Sequence, residues 1–561
     1  MEFNELERWC SNTQFGDVAL NACKEDLLQL FVEKGALTPV KWEDLNDEQR
    51  KNAVRLHMFL KEKHEDGKFI KMKARLVEDG RMQDREVYND YSSPTAKTRS
   101  IMTCLKLAAV KNWDLLKLDV GGAFLCAPID EGAEVFMFLD KGMTEMCVDC
   151  MPQYKEFVRE DGKLFVRVDK TMYGLIQSAK LWYKELTGHL MKHGFKKCKT
   201  DECVLIKKMP FGEYMIVLLY VDDILVISKC AVDRHWVKSL LESKYEKMTH
   251  QEGERLPYLG MTILKTAVGF EICMRSYIED VLKLYDKDLR EYVVPAKQNL
   301  FEVHSSAMIE DREKFHSVVA KLLYLGKRVR ANILMPVQFL CTRVRNPTLE
   351  DERKLEQVLG YLKLTKNWTR AFDRSKFERV VTYIDASFAA HDDGKGQSAC
   401  VVMLGNTVVH EACTQQKIIT RNSTEAELVA LSDYIGEGEL IEDFLMELGH
   451  IMDDDLLTNV HLIYQDNQST IALVQKGGGK QRTKYIKVRQ EYIHERLGTS
   501  EVEIAYIKTR GMLADIFTKG LGGDQFHTLA EAVLGKHRFS YSSNGGAKSN
   551  IGCDVVKILF K

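Results

Sequence analysis

Residues 216–228 read IVLLYVDDILVIS and place two adjacent carboxylates, Asp222 and Asp223, inside a strongly apolar segment. The aliphatic and β-branched residues on both sides predict two strands, 216–220 and 224–228, joined by a tight turn at Val-Asp-Asp. Two neighbouring like charges in such a segment resist burial. A plain turn is the commoner context for an Asp-Asp pair, but a turn is seldom enclosed by apolar strands on both sides. The pattern therefore predicts a hairpin tip at which a divalent cation balances the two charges.

A third carboxylate that fits the same site follows an earlier apolar strand. Residues 115–125 read LLKLDVGGAFL, and Asp119 lies where this strand ends at two glycines. Three carboxylates from two adjacent strands can hold two Mg²⁺ ions roughly 3.5–4 Å apart. In such a site one ion activates an attacking hydroxyl and the other stabilises a leaving pyrophosphate. The spacing therefore predicts a phosphoryl-transfer site centred on Asp119, Asp222 and Asp223.

The composition is that of a multidomain globular protein without a membrane segment. The chain has 561 residues, of which 45% are hydrophobic and 29% charged, so two to four domains are expected. No apolar run reaches the roughly 18 residues of a membrane helix, and the first ten residues lack the pattern of a secretory signal. The fourteen scattered cysteines are typical of buried thiols in an intracellular protein. The close pair Cys147 and Cys150 lacks the second pair that a tetrahedral zinc site needs.

Helix and strand patterns alternate along the chain and predict an α+β protein. Residues 1–65 are predicted to be helical, and the segment KEDLLQLFVEKG ends in a glycine that would end its helix. Strands and helices then alternate through the Asp-Asp hairpin, and a helix capped by the preceding NPT is predicted at 350–363. A second alternation begins near residue 376 and predicts a separate α/β domain. The last thirty or so residues read as a loosely ordered tail.

The sequence around the hairpin resembles that of reverse transcriptases. YVDD, at 220–223, is characteristic of those enzymes, and LDVGGAFLCAPIDE, TMYGLIQSAKLWYKEL, YLGM and KLLYLGKR follow the order and spacing of copia-type LTR-retrotransposon polyproteins. The resemblance runs from about residue 20 to 530 and implies a right-hand polymerase followed by an RNase H-like domain. The implied parts are fingers and palm at 1–235, thumb at 236–300, connection at 301–375, RNase H-like domain at 376–530 and tail at 531–561.

The resemblance also implies roles for individual residues of the polymerase region. Phe124 matches the aromatic residue under the sugar, where a ring would clash with a ribose 2′-OH and select deoxynucleotides. Lys73 and Arg75 lie two apart on a predicted strand, so they share one face and are placed to bind the incoming triphosphate. The metal-binding catalytic residues would be Asp119, Asp222 and Asp223. The other predicted contacts are Tyr173, Gln177 and Tyr220 in the nucleotide pocket, and Leu259 and Gly260 in the primer grip.

A second set of carboxylates is spread over the C-terminal domain. Asp385 lies in the apolar strand VTYIDASFAA, Glu427 in the helical segment STEAELVALSD, Asp466 at the end of LIYQD, and Asp515 in LADIFTK. In this order they resemble the D-E-D-D set of RNase H, which holds two metal ions that activate water against a phosphodiester. The motifs STEAEL, DNQSTIAL and ADIFTKGL also resemble those of the RNase H domain of copia-type elements.

The catalytic glutamate of this set has two candidates on one predicted helix. Glu425 and Glu427 both lie near its start. Glu427 is preferred because it directly precedes the apolar Leu428, as in the family motif. The predicted N-cap of the helix is Ser423 or Thr424.

Two stretches rich in Lys and Arg contain no acidic residue, namely 321–345 and 476–490. Each can be an ordinary solvated face whose counter-charges lie elsewhere, or a track for nucleic-acid phosphates. The first stretch lies between the two domains in sequence. It is predicted to hold the phosphates of an RNA–DNA hybrid through Lys327, Arg328 and Arg330.

The resemblance implies an RNA-directed DNA polymerase that uses two-metal nucleotidyl transfer, together with RNase H cleavage of RNA–DNA hybrids. The implied cofactors are Mg²⁺ or Mn²⁺, two ions per active site. The implied partners are an RNA template, a DNA primer, the hybrid and deoxynucleoside triphosphates, with no membrane. The chain is expected to be the C-terminal part of a polyprotein or a truncated genomic copy. Its expected location is the cytoplasm, or a virus-like particle. One alternative is a decayed or domesticated copy that binds nucleic acid without catalysis. The other is a group II intron or telomerase-like polymerase, which the copia-like sequence motifs disfavour.

Overall fold

The computed structural model of the chain describes residues 16–65, 68–78, 92–129, 134–210, 212–246, 248–477, 484–499 and 501–536. Helices and strands alternate through these ranges, which confirms the predicted α+β class. The helices are α1 (Gly16–Leu28), α2 (Asp47–Asn52), α3 (Thr98–Lys111), α4 (Lys141–Cys150), α5 (Ser178–Lys192), α6 (Ala231–Tyr245), α7 (Arg275–Tyr285), α8 (Arg312–Gly326), α9 (Leu334–Arg343), α10 (Leu349–Leu364), α11 (Ser423–Met452), α12 (Gln468–Lys476), α13 (Lys484–Gly498) and α14 (Gly523–Val533). The strands are β1 (Leu37–Val40), β2 (Val54–Glu65), β3 (Lys68–Glu78), β4 (Asp114–Val120), β5 (Phe136–Leu139), β6 (Leu164–Val168), β7 (Lys196–Lys197), β8 (Val204–Lys208), β9 (Tyr214–Tyr220), β10 (Asp223–Ser228), β11 (Met248–Glu252), β12 (Arg255–Tyr258), β13 (Met261–Thr266), β14 (Gly269–Cys273), β15 (Arg370–Asp373), β16 (Val380–Ser387), β17 (Gln397–Leu404), β18 (Thr407–Gln415), β19 (His461–Gln465) and β20 (Val502–Tyr506).

The central sheet contains the YVDD hairpin and has the strand order β11-β4-β10-β9-β8-β7. Almost every residue of β9 and β10 is buried, and burial on both faces requires their continuous apolar sequence. The two strands form the predicted hairpin, in which Tyr220 pairs with Asp223. On its other side β10 pairs with β4, and Asp223 lies directly opposite Asp119. The two acidic segments therefore meet at one end of this sheet.

The N-terminal sheet, in the order β1-β6-β5-β2-β3, corrects one prediction from the sequence. Residues 1–65 are not mainly helical, because β2 occupies the last part of that range and pairs with β3 in a long antiparallel hairpin. Its start shows the reason, since Val54, Leu56 and Met58 alternate with Arg55 and His57 at the period of a strand. The first fifteen residues lie outside the described ranges.

A four-stranded sheet links parts of the chain that are distant in sequence. Its order is β12-β13-β14-β15, and β15 pairs with β14 across the four helices α7, α8, α9 and α10. The predicted boundary at 235–236 falls inside α6, and β11 still pairs with β4. The central sheet therefore extends to Glu252. The functional division into fingers, palm, thumb and connection stays a prediction.

The C-terminal sheet confirms the predicted α/β domain. Strands β18, β17 and β16 pair antiparallel, whereas β16 pairs parallel with β19 and β19 with β20. The long helix α11 packs against β16 and β17. Its N-cap is Asn422, whose side chain accepts the backbone N–H of Glu425, so the predicted cap at Ser423 or Thr424 is wrong. The last helix ends at Val533, beyond the predicted domain boundary at 530.

Only part of the basic stretch 321–345 is exposed to solvent. Lys327 is exposed and Arg328 is half-buried, but Arg330 is completely buried. Its guanidinium donates to the carbonyl oxygen of Thr365 at 2.9 Å and to the hydroxyl of the same residue at 2.7 Å. Arg330 therefore stabilises the packing of the helices, and its prediction as a phosphate contact is wrong.

One hydrophobic core joins the N-terminal part of the chain to the C-terminal domain. It includes Leu105 of α3, Leu116 of β4, Val401 of β17 and Phe444 of α11. Arg99 of α3 also pairs with Glu437 of α11, with 3.0 Å between Nη1 and Oε2. The two domains are therefore packed directly against each other. Among the described helices, none has the length and apolar character of a membrane-spanning segment.

Candidate active sites

A pocket of about 510 Å³ opens at the end of the central sheet where the acidic segments meet. Asp119 and Asp222 line it, together with Lys73 and Arg75 of β3. The alternation of β3 puts these two basic residues on one face, as predicted. The pocket therefore combines two carboxylates with two cationic side chains, an arrangement suited to a metal-bound anionic substrate.

The tip of the YVDD hairpin has a strained backbone. Val221 has a φ of 58°, in the left-handed region that a β-branched residue rarely adopts. Trp182 of α5 donates from its indole nitrogen to the carbonyl oxygen of Val221 at 2.8 Å and so holds the tip. Burial raises the pKa of Asp222, and the nearby Asp119 and Asp223 raise it further. The charge on Asp222 is therefore disfavoured unless a cation lies close to it.

Asp223 makes a contact that the sequence analysis missed. Its Oδ1 lies 2.8 Å from the Nζ of Lys117 on β4. Lys117 precedes Asp119 by two residues, so the same-face spacing on a strand was the available signal. The described residues that line the pocket include Asp119 and Asp222 but not Asp223. The oxygens of Asp119, Asp222 and Asp223 are still the hard donors that Mg²⁺ or Mn²⁺ prefers, so this donor set fits either ion.

An aromatic pair holds Arg75 in the pocket. The Arg75 guanidinium lies 3.6 Å from the ring centre of Tyr173, and Phe124 contacts that ring edge-on with 4.9 Å between centroids. Tyr173 accepts the backbone N–H of Glu78 through its carbonyl oxygen at 3.1 Å. This approach requires Gly174, which has a φ of 102° and where a Cβ would lie 2.1 Å from the Glu78 carbonyl oxygen. Phe124 itself supports Tyr173 from behind and does not line the pocket.

The other predicted contacts lie outside this pocket. Gln177 is buried at the start of α5, and Tyr220 lies in the hairpin opposite Asp223. Leu259 and Gly260 form the turn between β12 and β13, both with positive φ. The hydroxyl of Tyr324 on α8 donates to the carbonyl oxygen of Leu259 at 2.9 Å. The roles predicted for these four residues stay predictions.

A carboxylate outside the pocket fixes the strand that carries Lys73 and Arg75. Asp26 of α1 accepts the backbone N–H of Leu76 at 2.6 Å on the free edge of β3. Burial raises the pKa of Asp26 from 3.8 to about 6. The folded protein therefore binds a proton at this residue more tightly than the unfolded chain does.

Replacing Asp26 by Asn should raise the free energy of unfolding at pH 7 by about 3 kcal/mol. The wild type loses stability as the pH rises from about 4 to about 6, because ionised Asp26 is disfavoured in the fold. Asn keeps an acceptor for the Leu76 N–H but carries no charge. Urea unfolding of both proteins between pH 4 and pH 8 measures the difference, which should grow through this window and then remain constant. A difference independent of pH would contradict the prediction.

A second group of carboxylates converges in the C-terminal domain. Within the described ranges, Asp385, Glu427 and Asp466 are the set whose ligand oxygens all lie within 4.8 Å of one another. Asp385 is completely buried, and Glu427 nearly so. Burial, with Asp385 and Asp466 nearby, raises the pKa of Glu427 well above its ordinary value. Burial and Asp385 also raise the pKa of Asp466. These carboxylate oxygens are suitable ligands for a hard divalent cation. Its positive charge would offset the repulsion between the neighbouring carboxylates.

The two glutamates of α11 have different environments. Glu427 lies in the converging group and accepts from the side-chain amide of Gln465 at 3.3 Å. Glu425 instead accepts from the guanidinium of Arg421, at 2.8 Å from Nε. The structure therefore places the preferred candidate, Glu427, beside Asp385 and leaves Glu425 outside the group.

The fourth predicted ligand, Asp515, does not belong to the converging group. Its Oδ1 lies 2.5 Å from the Nζ of Lys519, four residues later on the same turn. Lys519 also contacts Asp385 at 3.3 Å, and the neighbouring Thr518 donates its hydroxyl to the other oxygen of Asp385. Burial and Asp385 raise the pKa of Asp515 to about 7. Sequence reasoning missed Lys519, although its spacing of four from Asp515 was a signal.

A known protein family matches the part of the chain that contains the first site. Residues 41–294 match the family model described as reverse transcriptase (RNA-dependent DNA polymerase). The segment includes the pocket, both of its carboxylates and the YVDD hairpin. These residues, which are fewer than half of the chain, are therefore similar to a reverse transcriptase domain.

Over most of its length the chain is similar to Pol polyproteins of copia-type transposons. That of transposon RE1 from Arabidopsis thaliana is 27% identical over 485 residues, which are 85% of this chain and 31% of that polyprotein. That of transposon TNT 1-94 from Nicotiana tabacum is 27% identical over 493 residues, 86% of this chain and 35% of the polyprotein. The chain thus spans about a third of the length of these relatives. The predicted family resemblance is confirmed.

Solved structures of the foamy viral protease-reverse transcriptase are also similar. The complex with an RNA/DNA hybrid has a TM-score of 0.47 and 13% identity, and the match covers 93% of this chain and 55% of that chain. A complex with double-stranded DNA has a TM-score of 0.46 and 13% identity, covering 87% of this chain and 70% of the other.

Proposed function

We propose that this chain copies RNA into DNA for a copia-type retrotransposon and cleaves the RNA strand of the resulting hybrid. The observation that carries the polymerase assignment is the pocket in which Asp119 and Asp222 meet Lys73 and Arg75. The observation that carries the nuclease assignment is the convergence of Asp385 with Glu427 and Asp466.

The polymerase pocket is suited to bind a deoxynucleoside triphosphate by its charge. Lys73 and Arg75 would pair with the phosphates, and Tyr173 would keep the Arg75 guanidinium directed into the pocket. Phe124 would act through the position of Tyr173, which it contacts. Mg²⁺ or Mn²⁺ bound by the carboxylates would supply the positive charge that lowers the pKa of a primer 3′-hydroxyl and stabilises the leaving pyrophosphate.

Three carboxylates of the central sheet would hold the metal ions of this polymerase site. Asp119 and Asp223 lie opposite each other on adjacent strands, and Asp222 is fixed at the tip by Trp182. Lys117 pairs with Asp223 and so limits the mutual repulsion of the three acids.

The nuclease site would act on the hybrid that polymerisation produces. Asp385, Glu427 and Asp466 would hold Mg²⁺ or Mn²⁺, and the bound ion would lower the pKa of a water molecule that attacks the RNA phosphodiester. Burial beside Asp385 and Asp466 raises the pKa of Glu427, and a bound dication would favour its ionised form and so its role as a ligand.

The turn at Leu259 and Gly260 is linked to a basic side chain that is placed to contact the nucleic-acid backbone. Tyr324 donates to Leu259, and the Arg328 guanidinium lies 3.6 Å from the centre of the Tyr324 ring. Lys327 is the next residue and is exposed. These two cations would hold phosphates of the primer or the hybrid near the turn.

Replacing both Lys327 and Arg328 by Ala should weaken binding of an RNA–DNA hybrid uniformly across sequences. The slope of log K against log salt concentration should become shallower by about 2, since each lost phosphate contact contributes roughly 0.9. Fluorescence anisotropy between 50 and about 200 mM salt measures both changes. The matched control replaces the exposed Lys51 and Lys155 of the N-terminal region. An unchanged slope in the Lys327 and Arg328 variant would refute the assignment.

The decisive experiment measures the two activities on one preparation of the chain. Primer extension on an RNA template and cleavage of a labelled hybrid are followed with Mg²⁺ or Mn²⁺. Asp222→Asn should remove only extension and Asp385→Asn only cleavage, because the two carboxylates belong to different sites. Binding of the hybrid without either activity would favour the alternative of a copy that has lost catalysis.

A further inference from the structure

The nuclease site differs in one respect from a cluster built for two metal ions. Three of its four predicted carboxylates, Asp385, Glu427 and Asp466, converge within 4.8 Å, but the fourth, Asp515, is not part of that group. Asp515 is almost fully buried, so its charge needs a partner inside the protein. That partner is Lys519, whose Nζ lies 2.5 Å from Asp515 Oδ1.

The lysine occupies the place between two carboxylates. Its Nζ contacts Asp385 Oδ1 at 3.3 Å as well as Asp515. The second oxygen of Asp385 accepts the hydroxyl of Thr518. A dication that bridged Asp385 and Asp515 would therefore lie directly against an ammonium group and displace both contacts, which is electrostatically unfavourable.

We infer, on the basis of the proposed nuclease function, that Lys519 takes the place of a second divalent ion in this site. The site then holds one ion on Asp385, Glu427 and Asp466, and Asp515 serves to position Lys519. It differs from the sequence-based prediction of two ions held by four carboxylates. The charges also favour one ion, because one dication and one ammonium carry three positive charges against four carboxylates, whereas two dications with the ammonium would carry five.

Counting bound Mn²⁺ tests the inference. The full chain carries Asp222→Asn and Asp223→Asn, so that the polymerase carboxylates do not contribute, and bound Mn²⁺ is counted by calorimetry and by the electron paramagnetic resonance of the free ion. We expect one tightly bound ion. Asp515→Asn should leave this ion and its affinity unchanged within the error of the titration. The matched change Asp466→Asn should weaken its binding by at least about tenfold.

A further variant tests the role of the ammonium charge. Lys519→Gln keeps a hydrogen-bond donor but removes the charge, so a second Mn²⁺ should then bind. Two observations would overturn the inference. One is the binding of two ions by the protein that keeps Lys519, and the other is the loss of an ion on Asp515→Asn. Should Lys519→Gln fail to fold, the Asp515→Asn titration decides the question alone. Hybrid cleavage by the wild type is a separate readout: cleavage with two bound ions refutes only the inference, and one bound ion without cleavage refutes only the nuclease function.

Discussion

Asp222→Asn should lower the rate of primer extension by a factor of about 10³ or more without unfolding the protein. The carboxylate lies at a strained hairpin tip, lines the pocket with Lys73 and Arg75, and is held from behind by Trp182. A metal-bound carboxylate supplies several kcal/mol of transition-state stabilisation, which an amide cannot replace because it carries no charge. The measurement is single-turnover extension of a DNA primer on an RNA template at saturating Mg²⁺.

The same change should leave the free energy of unfolding equal or higher. Burial and the neighbouring Asp119 and Asp223 raise the pKa of Asp222, so its ionisation opposes folding at neutral pH. Loss of activity with retained or increased stability is the result expected of a residue kept for chemistry. A residue that only supported the hairpin would lose both together.

A surface change provides the control for Asp222→Asn. Asp288 has a fully exposed side chain in a long ion pair with Lys363, so Asp288→Asn should alter neither extension nor stability. Extension by Asp222→Asn at the wild-type rate would remove the metal role assigned to the YVDD hairpin. It would also disfavour the whole pocket as the polymerase site.

The sequence was most informative where local pattern and chemistry agreed. The apolar strands around Asp119 and Asp223 predicted that both acids lie at strand ends, and the structure places them directly opposite each other. The alternation of Lys73 and Arg75 correctly put both on one face of β3. These predictions needed only the period of a strand and the apolar character of its neighbours.

The sequence failed where the deciding partner lies far away in the chain. Arg330 belongs to an acid-free basic stretch, yet its partner is Thr365, thirty-five residues later, and it is buried. A run of charges does not reveal which member faces the core. The pairing of β15 with β14 is likewise set by tertiary packing and not by local pattern. Lys117 follows the same rule, because its partner Asp223 lies far away in the chain. Lys519 follows it only in part, because Asp515 is four residues away and only its second partner, Asp385, is distant.

Packing between the domains depends on an ion pair that no local pattern indicates. Arg370 of β15 donates from Nη1 and Nη2 to the two oxygens of Glu411 on β18, at 2.9 and 2.7 Å. The two side chains are 2% and 3% exposed. Nη2 also donates to the carbonyl oxygen of Val408 at 2.8 Å. This pair therefore joins the four-stranded sheet of the polymerase region to the C-terminal sheet.

Breaking the Arg370–Glu411 pair should cost about 3–5 kcal/mol of unfolding free energy, because either single change leaves one buried charge without its partner. Glu411→Gln preserves the shape of the side chain and removes only the charge, and Arg370→Met does the same from the other side. The double change should cost less than the sum of the two, since no isolated charge remains, and urea unfolding of all four proteins gives this coupling. Lys287→Met, which breaks a more exposed pair with Glu352, should cost less than about 1 kcal/mol. If the buried pair were as weak as the exposed one, the shared core around Leu105 and Phe444, together with other contacts such as Arg99–Glu437, would account for the association of the two domains.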